Sequence, residues 1–139
     1  MELFRFIDES INLEPSKMDT LSLAFLGDSI HSFFVRRNLV ISKDYKQKDL
    51  QALSAKIVCA KNQSKAFDLI KTDLNEEEQN LAKRARNAKT NNVAKNATIE
   101  EYKKSTAFEA LVGFAYLSKK FDRMSTFLQV AESCVNQGE

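Results

Sequence analysis

Two acidic residues stand alone inside apolar runs. Asp28 is the only acid in LSLAFLGDSIHSFFV, from Leu21 to Val35, and Glu109 is the only charge in AFEALVGFAYL, from Ala107 to Leu117. A carboxylate moved from water into apolar surroundings costs several kcal/mol unless it is paired, protonated or bound to a cation. A chain that carries this burden twice has a use for it. Two such carboxylates brought together offer hard oxygen donors, which suit Mg²⁺. That ion needs only one or two protein carboxylates when a substrate phosphate completes its shell. It can acidify a water and neutralise charge developing on phosphorus.

Spacing places both acids on helices. At about 100° per residue, the residues nearest Asp28 in azimuth are Leu21, Ala24, Val35 and Leu39, so Asp28 is expected on an apolar stripe. Glu109 shares its face with Tyr102, Ser105, Gly113 and Tyr116, a mixed face with hydroxyls nearby. The chain has three glycines. Gly27 directly precedes Asp28, and Gly113 lies one turn beyond Glu109. Each costs about 1 kcal/mol relative to alanine inside a helix. The return for that cost is close backbone approach, so the two helices are expected to cross beside their acids. The single histidine, His31, lies about a turn from Asp28 but has no neighbours at metal-ligand spacing. It reads as a helix-surface or half-buried imidazole.

The elements that position these residues are all helical. Apolar periodicity and capping residues predict helices over Leu21–Val40, Lys48–Lys61, Ser64–Lys71 and Glu76–Asn87. A long helix follows from Thr98 to Lys119, and a last one covers Asp122–Val135. A short helical stretch near Leu3–Asp8 precedes a break at Pro15. Asp19 or Thr20 caps the first long helix, Asn75 caps the fourth, and Thr98 with Glu101 forms a capping box. Ser42–Lys48 and Ala88–Ala97 are polar connections.

At 139 residues the chain is expected to be one domain, with a short N-terminal segment at 1–19 and a core at 20–136. Three Gly and one Pro argue against a β-sandwich or a loop-rich scaffold. No apolar run reaches the about 18 residues of a membrane span. MELFRFIDES has no signal-peptide pattern. Cys59 and Cys134 lack zinc-site spacing and read as buried or free thiols of a reducing, cytoplasmic compartment. The net charge of +2 is uninformative, but its distribution is not. Lys83, Arg84, Arg86, Lys89, Lys95, Lys103 and Lys104 face only Glu100 and Glu101 in that stretch. KRARNAKTNN mixes cations with amides, which suits phosphate and sugar contacts. No aromatic residue interrupts it before Tyr102, which favours a duplex read by backbone and shape over stacked single strands.

These residues carry a resemblance. FLGDS at Phe25–Ser29 resembles the core of the ribonuclease III signature, and TAFEALVGFAYL at Thr106–Leu117 resembles that fold's second acidic helix. LSLAFLGDSIHSFFVRRNL, KRARNAK and YKKSTAFEALVGFAYL together are similar to the compact bacterial Mini-ribonuclease III family, in its order and spacing, over about Leu21 to Val130.

The resemblance implies an all-α, ribonuclease III-like endonuclease domain: a dimeric helical bundle that cleaves double-stranded RNA with Mg²⁺, with Mn²⁺ able to substitute. Asp28 and Glu109 match the catalytic, metal-binding acids. Phe25 matches a dimer-interface aromatic. Lys83, Arg84, Arg86, Asn87 and Lys89 match the basic loop near RNA. The implied substrate is precursor of the large (23S-type) ribosomal RNA, cut to leave 5′-phosphates, with a ribosomal protein as candidate helper. The chain stops soon after its last helix, so the double-stranded-RNA-binding domain of full-length ribonuclease III is not expected. Full-length enzymes carry further acids where this chain has Leu21, Ala24 and Thr106. Mini-ribonuclease III shares those losses, which favour one tightly held Mg²⁺. Two readings from other classes are a non-catalytic module binding structured RNA and a helical adaptor with the two acids paired to Arg36 or Lys56.

Overall fold

The structure is a computed structural model and describes residues 13–90 and 96–137. The expected helical stretch near Leu3–Asp8 and part of the Ala88–Ala97 connection lie outside the described residues. After a short 3-10 turn at Pro15–Lys17, the described chain forms six α-helices and no strand. They are α1 (Thr20–Ser42), α2 (Gln47–Val58), α3 (Ala60–Ile70), α4 (Glu76–Asn87), α5 (Ile99–Leu117) and α6 (Phe121–Gln137). No helix of the described residues is long and apolar enough to cross a membrane.

Local chemistry sets most of the boundaries. The Asp19 carboxylate accepts the Ser22 backbone N–H at 2.9 Å and starts α1. Full capping boxes open α4, through Asn75 and Glu78, and α5, through Thr98 and Glu101. Lys119 closes α5 in the left-handed region, with φ 60°, and the Lys120 N–H returns to the Ala115 carbonyl at 2.8 Å.

One expected element divides in two. The helix predicted over Lys48–Lys61 breaks at Cys59, a single extended residue with φ −69° and ψ 156°. The chain re-enters a helix at Ala60, four residues before the expected Ser64 start. A side-chain amide holds the break. Asn62 Nδ2 donates to the carbonyl of Ile57 at 2.8 Å and to that of Ala131 on α6 at 2.9 Å. It thereby satisfies a carbonyl at the end of α2 and pins α3 to α6.

Helix α5 is the axis of the molecule. From Ser105 to Tyr116 every residue except Glu109 is buried. A helix apolar all round must be surrounded, and α1, α3, α4 and α6 all pack on it. Phe108 and Leu111 meet Leu23, Leu81, Phe127 and Leu128 in the core. Beside the core, Glu78 is 1% exposed and pairs with Arg123 of α6 through contacts of 2.6 and 3.0 Å. Burial pushes the Glu78 carboxyl up, but the Arg123 hydrogen bond, the Asn75 N–H and the neighbouring positive charge outweigh it and hold it below its ordinary value.

The crossing of α1 and α5 occurs at the two glycines, as expected. A methyl built on Gly27 would fall on the Glu109 carbonyl and lie 3.1 Å from the Gly113 nitrogen. A methyl on Gly113 would fall on the Leu23 carbonyl and lie 3.3 Å from the Gly27 nitrogen. Gly27→Ala should therefore lower stability by about 1–2 kcal/mol, because an overpacking cost of up to about 3 kcal/mol against backbone outweighs the about 1 kcal/mol gained in helix propensity. Urea unfolding reads this directly, and an unchanged midpoint would mean that the helices separate at little cost.

Candidate active site

The glycine crossing delivers Asp28 from α1 and Glu109 from α5 to one cavity of about 490 Å³. Both side chains line it, with the Asp28 carboxylate near enough to act on the Glu109 carboxyl. Their exposures differ. Glu109 is half-buried, as its apolar surroundings predict, whereas Asp28 is exposed. The expectation that both acids sit in apolar burial is thus corrected for Asp28. Ala24 and Val35 of its stripe are buried, but Leu21 and Leu39 are only half-covered, and the stripe meets the cavity mouth at Asp28.

Burial, followed by the hydrogen bond to Asp28 and that residue's charge, pushes the Glu109 carboxyl up to about 9. Gln63 acts the other way through a side-chain hydrogen bond that favours the ionised form. Glu109 therefore keeps its proton at neutral pH. Among the described residues no third Asp, Glu, His or Cys joins them in a metal-ligating cluster. Among the described residues, Asp28 and Glu109 are the acids that line the cavity.

Behind the acids lies a buried polar pair. Gln63 Nε2 lies 2.9 Å from His31 Nδ1. Gln63 is 2% exposed and His31 is fully buried, so the half-buried or surface imidazole expected from sequence is corrected. Helix α1 turns His31 inward against Phe108 of α5, with ring centroids 5.3 Å apart in an edge-to-face arrangement. Burial pulls the imidazole down to about 4, although the Asp28 charge acts to raise it, so His31 is neutral at physiological pH. Its Nε2 is buried without a hydrogen-bond partner among the described residues. Such an orphan costs about 1–3 kcal/mol.

Of the mixed face seen in the sequence, Tyr102 and Ser105 line the α5 wall of the cavity with Glu109; Thr106 joins them, whereas Gly113 and Tyr116 are not in the lining. Ser105 Oγ and Thr106 Oγ1 both donate to the Tyr102 carbonyl, at 2.9 and 3.0 Å. Phe25, one turn before Asp28, stands at the rim and is 83% exposed. Phe33, Val40 and Ile41 continue the exposed apolar surface of α1.

The basic residues fall into two groups. Arg84 Nη2 donates to the Ser16 carbonyl at 3.0 Å, and the Arg86 guanidinium lies 6.0 Å from the Phe67 ring centroid. Both are anchored to the fold. Lys83, Asn87 and Lys89 are exposed where α4 ends. Among the described residues Thr90 is the member of this stretch that lines the cavity, so the chain leaves α4 toward the acids. Sequence reasoning missed Gln63. It lies in Asn62-Gln63-Ser64, three consecutive polar residues that are all buried, and no hydropathy pattern announces that.

A helical domain in which two crossing helices converge acids on one cavity is the architecture of a ribonuclease III domain, and that family matches residues 21–120. A Mini-ribonuclease 3 from Brevibacillus brevis is 40% identical over 94% of this chain and 97% of its own. One from Staphylococcus aureus is 34% identical over 86% of this chain and 91% of its own. A crystal structure of a protein from Fusobacterium nucleatum superposes with a TM-score of 0.76 at 34% identity, over 84% of this chain and 93% of that one. The chain belongs to the Mini-ribonuclease 3 family. It is thus an endoribonuclease, a hydrolase of RNA phosphodiester bonds.

A carboxyl raised from 4.5 in the unfolded chain to about 9 in the folded one favours folding fully only below the lower value. Stability then declines as pH rises between the two. In chelator, Glu109→Gln should remove that decline and stabilise the protein at pH 8 by about 1–3 kcal/mol, with a much smaller gain at pH 5. Thermal unfolding at the two pH values reads the difference; equal gains at both would separate Glu109 from the effect.

Proposed function

We propose that the chain cleaves double-stranded RNA with Mg²⁺ held between Asp28 and Glu109. The observation that carries this reading is the convergence of two carboxyls on an open cavity beside a cationic chain segment. The donor set fits a hard, oxygen-preferring cation that keeps several waters, and Mn²⁺ fits the same donors. When bound, the ion supplies charge neutralisation at the scissile phosphate and acidifies the attacking water. Asp28 and Glu109 orient it, and Glu109 releases its proton as the site loads. Lys83, Arg84, Arg86, Asn87 and Lys89 meet the RNA backbone, with Arg84 and Arg86 held ready by Ser16 and Phe67.

Phe25 and the exposed apolar surface of α1 form the homodimer contact, since large apolar side chains on a rim mark a partner surface. Two copies would each cut one strand and leave staggered ends with 5′-phosphates and 3′-hydroxyls. Family resemblance points to precursor large-subunit (23S-type) ribosomal RNA as the substrate, in the cytoplasm, with a ribosomal protein as a helper.

Incubation with duplex RNA, duplex DNA and single-stranded RNA, in Mg²⁺ or chelator, tests the reading. Duplex RNA alone should be cut, only with the cation, and binding should weaken steeply with salt. Asp28→Asn should keep the fold but lower cleavage by about a thousandfold, the equivalent of several kcal/mol of lost charge stabilisation. Wild-type rates in that variant, or cleavage undiminished by chelator, would end the proposal. Phe25→Ala should shift the sedimenting species from dimer toward monomer; a monomeric wild type would remove the dimer from it.

A further inference from the structure

The nuclease chemistry leaves both cysteines unused, and the packing of α3 on α6 brings them together. Arg123, in the first turn of α6, donates to the Asp73 carbonyl just beyond α3 at 3.3 Å. Asn62, in the first turn of α3, donates to the Ala131 carbonyl farther along α6 at 2.9 Å. The two helices therefore run antiparallel. Cys59 lies one turn before Asn62 and Cys134 one turn after Ala131, so this register sets the thiols opposite each other. Both are free, Cys59 exposed and Cys134 buried, and both line one cavity of about 220 Å³ with Lys56, Lys61 and Lys65. Cys59 is also the single extended residue between α2 and α3. Its neighbours Val58 and Ala60 line the active-site cavity, while Cys59 itself lines the other. At this point the chain is a wall shared by two chambers.

We propose that Cys59 and Cys134 are a redox pair that a small, carboxylate-bearing disulfide oxidises to an intramolecular bridge. The three lysines draw that reagent in by charge. The Cys59 Sγ–H rests weakly on the Lys56 carbonyl at 3.4 Å, and loss of the proton frees the sulfur to turn into the cavity. The Cys59 thiolate attacks one sulfur of the reagent, forms a mixed disulfide and expels one small thiolate. Cys134 gives its proton to water, and its thiolate attacks the Cys59 sulfur. The Cys59–Cys134 bond forms, and the second small thiolate leaves. Two protein thiols are oxidised, and one small disulfide is reduced to two thiols. Burial pushes the Cys134 thiol up, although the Lys65 charge acts the other way, so its step is the slower one. Small thiols reverse both steps, and a disulfide formed in a reducing compartment is of this transient kind. The bond draws Cys59 toward α6, and Val58 and Ala60 follow it away from the acids.

The test incubates the whole reduced chain with oxidised glutathione and follows intact mass and peptide map. A glutathionyl adduct should appear on Cys59. It should then give way to a chain lighter than the reduced one by two hydrogens, with a Cys59–Cys134 cross-linked peptide. Reductant should restore the starting mass, and salt should slow the first step by screening the lysines. Cys59→Ser should take up no adduct, and Cys134→Ser should stop at the adduct. No reaction, a first adduct on Cys134, or an adduct that never resolves in the unaltered chain overturns the pair, whether or not the variants fold. A first step indifferent to salt removes the lysines from it. The bridged chain should cleave duplex RNA more slowly than the reduced chain and regain its rate with reductant. Only this last readout rests on the duplex-RNA reading, and equal rates from the two forms overturn the link between the bridge and the active site.

Discussion

Backbone meets backbone where α1 crosses α5, and the remaining geometry of the site is measured from that contact. Neither Gly27 nor Gly113 has room for a Cβ, so the helices approach more closely than side chains would allow. The atom that fills the space at Gly27 is the carbonyl oxygen of Glu109 itself. The main chain of one acid therefore rests against the residue that precedes the other. Sliding either helix by a turn would drive side chains into this contact, and so the relative register of Asp28 and Glu109 is fixed by sterics before any attraction acts. The carboxyls themselves could not fix it once both are ionised, because like charges repel and burial compounds the repulsion.

What the fold holds in place is an arrangement that is locally unfavourable. Glu109 is pushed up to about 9, His31 is pulled down to about 4, and His31 Nε2 lacks a partner among the described residues. The surrounding packing tolerates these terms. Helix α5 is enclosed by α1, α3, α4 and α6, and the Glu78–Arg123 pair, the capping boxes and the Asn62 clamp tie the periphery together. Local rules fail in one cluster and hold around it, the pattern of a chain whose conflicts are kept for function.

Much of this was legible in the residues. Isolated acids in apolar runs, a glycine beside each, and capping residues at the right offsets located the crossing, the two carboxyls and the starts of α4 and α5. Those signals are local or periodic, and a linear sequence preserves them. Three features left no such trace. Azimuth on a helix says which residues share a side but not where the neighbouring helices end, so the exposure of Asp28 was hidden. The break at Cys59 depends on the Asn62 amide reaching both Ile57 and Ala131, and the second partner is distant in sequence. The link from His31 to Gln63 joins two helices across a gap that only packing closes. Charge along KRARNAK was equally plain, but the tethers of Arg84 to Ser16 and Arg86 to Phe67 were not.

The hydroxyls of Ser105 and Thr106 set the character of one side of the cavity. Each spends its hydrogen on the same Tyr102 carbonyl, within its own helix. What remains outward is oxygen lone pairs, next to the carboxyl oxygens of Glu109. Those two hydroxyls therefore have no hydrogen to offer a guest, and a group that bonds to them must bring its own donor.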